Sequence, residues 1–293
     1  MSSCLAGIDA GGTKLAAGLV DVQAGRVLRR CERPTEPARG GAAILADCAA
    51  LAREVSGGQA AGVGLGVPEL VSAGGQVTSA ASWDWRGCDL TAAFAGTGPV
   101  HVESDVRAAA LAEARFGAGR GRSSFVYMSI GTGVSHTLVV ASQPWRGARG
   151  NALVVGAPLV ELSAGGAALA ARAGRARAEE VLASAADQAL VADVARELAA
   201  ELARLVNALD PEAVVIGGGL GLNPDFRRCL AGLTRPDIYA ADTRDLDIVP
   251  AALGRDAGII GAALAAAGGL AAAGRPGAGA PARPPSGWAG RAR

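Results

Sequence analysis

The stretch Gly7-Ile8-Asp9-Ala10-Gly11-Gly12-Thr13-Lys14-Leu15-Ala16-Ala17-Gly18-Leu19-Val20 decides the architecture. An apolar run ends in a carboxylate, two glycines turn the chain, a hydroxyl and a lysine follow, and a second apolar run returns. A further turn at residues 23–25 leads into residues 26–31, so the spacing predicts a three-stranded antiparallel meander. The element recurs later, where residues 125–130 and 134–140 flank the turn Gly131-Thr132-Gly133. Two hairpins with Gly/Thr turns, each followed by helix and strand, predict two related α/β halves facing each other across a cleft.

Working outward, the alanine-rich residues 41–55 read as a helix and residues 62–67 as a strand, followed by a Gly/Ser/Trp-rich connection over 69–89. A helix of about 10 residues is expected ahead of a short strand at 99–102. Ser104 or Asp105 then caps a helix running to Phe116. Residues 117–122 are the natural hinge. Residues 179–209 carry apolar side chains at helical spacing (Leu198, Leu202, Leu205, Val206, Leu209), stop at Asp210-Pro211 and lead into a strand at 213–216 closed by Gly217, Gly218 and Gly219. The expected division is an N-terminal domain of residues 1–117, with 254–268 packing back on it, and a C-terminal domain of residues 118–253. Residues 269–293 lack periodicity and are expected to be a disordered tail.

Composition narrows the function. A chain of 293 residues that is 50% hydrophobic and 19% charged is a globular protein, not a disordered polyelectrolyte. Lys and Arg total 28 against 27 Asp and Glu, so the net charge of +1 offers no surplus for a phosphate backbone or an anionic membrane, and neither partner is expected. Lys14 is the only lysine, a sign of GC-rich codon bias, so the arginines are not each read as chosen for bidentate chemistry. The 5 cysteines include no C-x-x-C pair, which fits a reducing cytoplasm and argues against a local zinc clip. No basic leader precedes the first strand, and the Ala/Gly-rich residues 259–273 are too short and weakly apolar to span a bilayer, so a soluble cytoplasmic protein is expected.

Asp9, Gly11, Gly12, Thr13 and Lys14 set a carboxylate and a hydroxyl beside backbone N–H groups that no side chain shields. Such a turn admits phosphate oxygens, and the carboxylate can hold Mg²⁺ through water, although a single turn of this kind is as readily an ordinary hairpin. Gly131, Thr132 and Gly133 repeat the chemistry, and Gly217 to Gly219 could admit the adenosine part of a nucleotide. Asp105, just past a strand and near a helix N-terminus, is the candidate base: a carboxylate there is expected to stay ionised and to accept a hydroxyl proton, or else to serve only as a cap. His101 and His136 are too few for a metal cluster. Trp83 and Trp85 are either stacking platforms or core anchors.

Together these segments resemble the ROK family (repressors, open reading frames and sugar kinases) of the actin-like ATPase superfold, from Gly7 to about Ala267. Gly7–Lys14 is similar to the family's first phosphate loop, Val102-Glu103-Ser104-Asp105-Val106-Arg107-Ala108-Ala109 to its catalytic segment, Gly131–Gly133 to its second phosphate loop, Asn207–Gly219 to its adenosine-side strand and loop, and Leu253–Ala263 to its closing helix. The departures lie on the acceptor side. Ser104 and Arg107 stand where the family usually has Asn. The family's Gly-Glu-x-Gly-His segment, whose Glu contacts sugar and whose His serves sugar and zinc, falls on Leu153-Val154-Val155-Gly156-Ala157, and the cysteine-rich zinc loop that normally follows is deleted.

The resemblance implies a two-domain actin-like (ribonuclease H-like) α/β fold, use of ATP and Mg²⁺, no zinc site, a small-molecule polyol substrate, and the family's common homodimer. It implies a kinase whose base is Asp105 and whose acceptor is a modified polyol, such as a C7-cyclitol, an amino sugar or a deoxysugar, rather than glucose. Ser82, Asp84, Ser104, Arg107, His136 and Glu161 are the candidate acceptor contacts. A nucleotide- or sugar-binding regulator without catalysis is the alternative. A DNA-binding repressor is not expected, because the first phosphate loop begins within ten residues of Met1.

Overall fold

The computed structural model describes residues 4–152 and 164–273. The first hairpin forms where the two apolar runs meet at the glycine turn. Strand β1 (Cys4–Ala10) pairs antiparallel with β2 (Lys14–Asp21), and β2 with β3 (Arg26–Pro34). Helix α1 (Gly41–Ser56) ends at Gly57 in the left-handed conformation and buries Ile44, Leu45, Cys48, Leu51 and Val55 against this sheet. Strand β4 (Val63–Val67) is buried throughout and pairs parallel with β1, while β5 (Val100–Ser104) pairs parallel with β4. The sheet order is β3-β2-β1-β4-β5.

The second sheet repeats this plan. Strands β6 (Ser124–Ile130), β7 (Val134–Val140) and β8 (Gln143–Pro144) form the antiparallel part, and β9 (Ala213–Gly217) and β10 (Asp247–Pro250) add in parallel on the other side of β6, giving β10-β9-β6-β7-β8. Two sheets of the same order bear out the expected repeat.

Between the sheets lie two helices. Helix α3 (Asp105–Phe116) packs Val106, Ala109, Ala110 and Ala114 against Phe125, Tyr127, Val139 and Val215 of the second sheet. The chain's last described helix (Ala257–Ala273) lies on the first sheet and against α3. It approaches closely because β1 and β4 carry glycine beneath it: a Cβ on Gly64 would land on the carbonyl of Ala262. Gly64→Ala is therefore expected to destabilise the protein by about 1–3 kcal/mol through overpacking, read as a lower midpoint in denaturant at unchanged slope.

Three expectations need correction. The helix of about 10 residues before β5 is only α2 (Leu90–Ala93): Asp89 caps it by accepting the Ala92 N–H, and Gly96 and Gly98, both at positive φ, turn the chain away at once. The helix expected over 179–209 is two. After α4 (Gly166–Arg172), α5 (Ala178–Ala183) stops at Ser184, the Gln188 amide takes the carbonyls of Leu182 and Ser184, and α6 (Gln188–Leu209) begins. The apolar spacing that suggests one helix lies in 198–209, and it lapses at Ser184, Asp187 and Gln188, where the break falls. Helix α7 (Pro224–Thr234), capped by Asn223, follows β9, so the last helix is α8 and its helical run includes residues 269–273, where the lack of periodicity predicts a tail. The remainder of that expected tail, residues 274–293, lies outside the described residues.

Candidate active site

Strands β1, β4 and β5 run parallel, with Asp9 opposite Gly66 and Gly66 opposite Glu103, so Asp9 and Asp105 emerge at the carboxyl ends of β1 and β5 with the bare backbone of Gly66 between them. The carboxyl end of a parallel sheet is where α/β folds collect ligands. Asp105 opens α3, and its Oδ1 accepts the Val106 N–H at 2.6 Å and the Ser104 hydroxyl at 3.4 Å. Both carboxylates are half-buried. Burial, then the charge of Asp9, pushes the Asp105 carboxyl up to about 7. This corrects the expectation that it simply stays ionised: at neutral pH it is poised between its two forms. Burial also raises Asp9, against the pull of Lys14 and Arg30. A pair of carboxylates, each disfavoured in its charged form, is a donor set that a hydrated Mg²⁺ fits.

The two hairpin turns face each other. The hydroxyls of Thr13 and Thr132 lie 2.8 Å apart across the cleft although 119 residues separate them in sequence. Thr35, which sequence reasoning missed, fixes the first turn by donating its hydroxyl to the Gly11 carbonyl at 2.7 Å and its N–H to the Thr13 carbonyl. At the second turn the carbonyls of Gly131 and Thr132 receive the first N–H groups of α4, and the Ile130 carbonyl receives those of Leu220 and Gly221. Gly218 thereby lies against Gly131. Gly218 has φ +80°, and a Cβ there would meet the Ile130 carbonyl and the Gly131 N–H. Lys14 lies 3.3 Å from Glu32 on the rim, half-exposed.

The expected acceptor contacts fare unevenly. Ser104 is buried beside Asp105. Ser82 is exposed, and its N–H donates at 2.7 Å to Glu69, a buried carboxylate that also accepts from the N–H groups of Ala81 and Trp83 and from the Ser79 hydroxyl, gathering the whole 79–83 loop. Nothing but burial of an acid after β4 could have flagged Glu69. Asp84 is exposed and ion-paired with Arg86, which holds its carboxyl down at about 2.

Two candidates are elsewhere. Arg107 is buried with its donors committed to protein groups. His136 sits opposite Met128 on the face of β7 that, with Val134 and Leu138, packs into the second sheet's own core, away from α3. Burial lowers it to about 4, so it is neutral, and its Nδ1 is unpartnered. Glu161 lies outside the described residues. Trp83 and Trp85 are core anchors, 5.4 Å apart, with the Trp85 indole N–H donating to the Gly41 carbonyl.

The sequence matches the profile of the ROK family over residues 5–161 and 157–268. The chain belongs to the ROK family. Among solved structures, this ROK protein superposes with a TM-score of 0.79 on a ROK glucokinase from Streptomyces griseus in complex with glucose and AMPPNP, at 27% identity over 89% of this chain and 98% of that one. The ROK fold is the actin-like ATPase fold that the resemblance implies, and its two halves are those expected from the paired hairpins. Kanosamine kinase of Amycolatopsis mediterranei is 30% identical over 285 residues, 85% of this chain and 91% of that protein. The bifunctional enzyme NanE/NanK of Brucella melitensis is 37% identical over 169 residues; the matched region is 49% of this ROK chain and only 32% of the bifunctional enzyme. No helix among the described residues is long and apolar enough to cross a membrane.

Proposed function

We propose that the chain is an ATP-dependent kinase that phosphorylates a hydroxyl of a sugar-like small molecule, with neither nucleic acid nor membrane as partner. The acceptor is a modified polyol, a cyclitol such as a C7-cyclitol, an amino sugar or a deoxysugar, rather than glucose. One observation carries the reading: Asp105, a carboxyl poised near pH 7, heads α3 beside two facing Gly/Thr turns. A base with that pKa suits deprotonation of a hydroxyl near neutral pH. Relatives named as sugar kinases support the class.

In the reaction the acceptor hydroxyl gives its proton to Asp105 while its oxygen bonds to the γ-phosphorus and the bond to the bridging oxygen of ADP breaks. The N–H groups of Gly12, Thr13, Thr132 and Gly133 hold the phosphates, while those of Gly11 and Gly131 close the two turns onto the Lys14 and Gly133 carbonyls, and the Thr13 and Thr132 hydroxyls part to receive the chain of phosphates. Gly217, Gly218 and Gly219 leave room for the adenosine. Asp9 would hold Mg²⁺ through water, and that ion supplies charge neutralisation on the phosphates.

Against glucose stand Val154 and Ala157, where the family carries its sugar-binding Glu and His. Each polar group of a hexose left unmatched costs about 1–3 kcal/mol of binding. The name kanosamine kinase denotes an amino-sugar acceptor, which supports this direction. The burial of Arg107 and His136 away from an acceptor favours the second reading, a regulator that binds nucleotide or sugar without turnover.

The test is ADP release by the purified protein with MgATP across hexoses, N-acetylated amino sugars and cyclitols. Turnover with one modified class above glucose is the expected result. Turnover best with glucose sinks the acceptor assignment, and silence across the panel with ATP bound in calorimetry supports the regulator.

A further inference from the structure

Arg107 does not reach the cleft, and what it does instead is specific. Its side chain is 1% exposed, and each of its three guanidinium nitrogens is committed: Nε to a Glu103 carboxylate oxygen at 2.7 Å, Nη1 to the Gly150 carbonyl at 2.6 Å and Nη2 to the Val71 carbonyl at 2.8 Å. The other oxygen of Glu103 takes Arg146. Val71 belongs to the connection that follows β4 of the first sheet, whereas Arg146 and Gly150 belong to the segment that follows β8 of the second.

These two segments meet backbone to backbone. The Ala73 N–H donates to the Arg149 carbonyl at 3.2 Å. Gly150 has φ +87°, and a Cβ there would lie 2.6 Å from Ala73 N, from the carbonyl carbon of Ser72 and from the Val71 carbonyl oxygen, so only glycine allows the approach. Arg107 lies two residues past Asp105 on the same helix. It therefore fastens a loop of one sheet to a segment of the other at the flank of the site. The loop it fastens runs on to the 79–83 turn that Glu69 gathers, and the segment runs on in sequence to Val154 and Ala157.

We propose that Arg107 is a positioning residue: by holding the Val71 and Gly150 carbonyls together over Glu103, it sets the gap between the 69–85 loop and the 146–152 segment, and with it the fit of the acceptor to Asp105. The proposal rests on the kinase reading. A planar fork whose nitrogens diverge can serve a carboxylate and two carbonyls at once, whereas a lysine ammonium presents its donors from a single atom. Glu103 supplies the opposite charge that makes burying the fork tolerable.

Two variants test it. Arg107→Lys keeps the charge facing Glu103 but gives up the fork. Gly150→Ala leaves the ion pair intact and pushes the two backbones apart. Both are expected to raise the KM for the acceptor about tenfold, to leave the KM for ATP within about twofold of the parent, and to speed amide exchange over residues 71–76 and 146–152 by about tenfold or more.

Unchanged exchange in both variants overturns the proposal, and so does faster exchange with an unaltered acceptor KM, which would make Arg107 merely structural. Equal rises in the two KM values overturn it as well. Parent protein that phosphorylates nothing is a failure of the kinase reading and takes the acceptor role with it. Amide exchange needs no turnover, so it still decides whether Arg107 joins the two segments.

Discussion

Asp105→Asn is expected to lower turnover by about 10²- to 10⁴-fold, the usual contribution of a positioned base, while calorimetry with a non-hydrolysable ATP analogue returns the parent affinity. The asparagine keeps an oxygen for the Val106 N–H, so the head of α3 stays formed. Near-native turnover would remove Asp105 from the mechanism. Stability should move the other way. In the native protein the Asp105 carboxyl titrates at about 7, against 3.8 for an ordinary aspartate. Below both values the native and unfolded forms are equally protonated. As pH rises through this window the unfolded chain ionises first, so the native state loses stability, and above 7 the loss is complete. Asparagine carries no charge and escapes the loss. The variant should therefore melt at a higher temperature than the parent at pH 8 and close to it at pH 4, as expected where a base is held against its preferred solvation for the sake of chemistry.

The second large effect concerns Glu113, which is fully buried on α3. One oxygen accepts the N–H groups of Ala118 and Ala252 at 2.7 and 3.0 Å, and the other accepts that of Leu253 at 2.8 Å. Residues 117–122 carry the chain from α3 to the second sheet, and residues 251–256 bring it back from β10 to α8. One carboxylate thus ties both crossings together. Glu113→Ala would strand three inward-facing donors, each costing about 1–3 kcal/mol, and is expected to remove about 3–5 kcal/mol, a large share of an ordinary domain's stability. At about 2–4 °C per kcal/mol for a chain approaching this size, the melting temperature should fall by about 6–20 °C. A fall of under about 2 °C would show that water replaces the carboxylate at both crossings.

Much of this protein is legible in its residues because the informative interactions are local. Both hairpins, α1, α3, β4 and β9 follow from apolar runs, helical spacing and glycine turns within a few positions of each other. Asp9, Asp105 and the Gly/Thr turns stand out for the same reason: a strand end, a glycine and a polar group are adjacent in the chain. The misreadings fall where a distant partner decides. Gln188 ends α5 with its own side chain, a tertiary contact that helical spacing read over 198–209 does not report. Arg107 and His136 were placed by position along the sequence, yet the direction each side chain takes depends on which sheet lies over it.

The amino-acid sequence by itself determined that two α/β units of the same plan would form and that each would carry a Gly/Thr turn at a strand end, since apolar runs and turn stereochemistry are properties of neighbouring residues. Only the tertiary structure decided that Thr13 meets Thr132, that Asp9 and Asp105 flank the same glycine where burial and then the charge of Asp9 raise the second, and that Glu113 and Arg107 span the two units. Those outcomes depend on distance in space and on exclusion of water, and both arise only when the two sheets close on the helices between them.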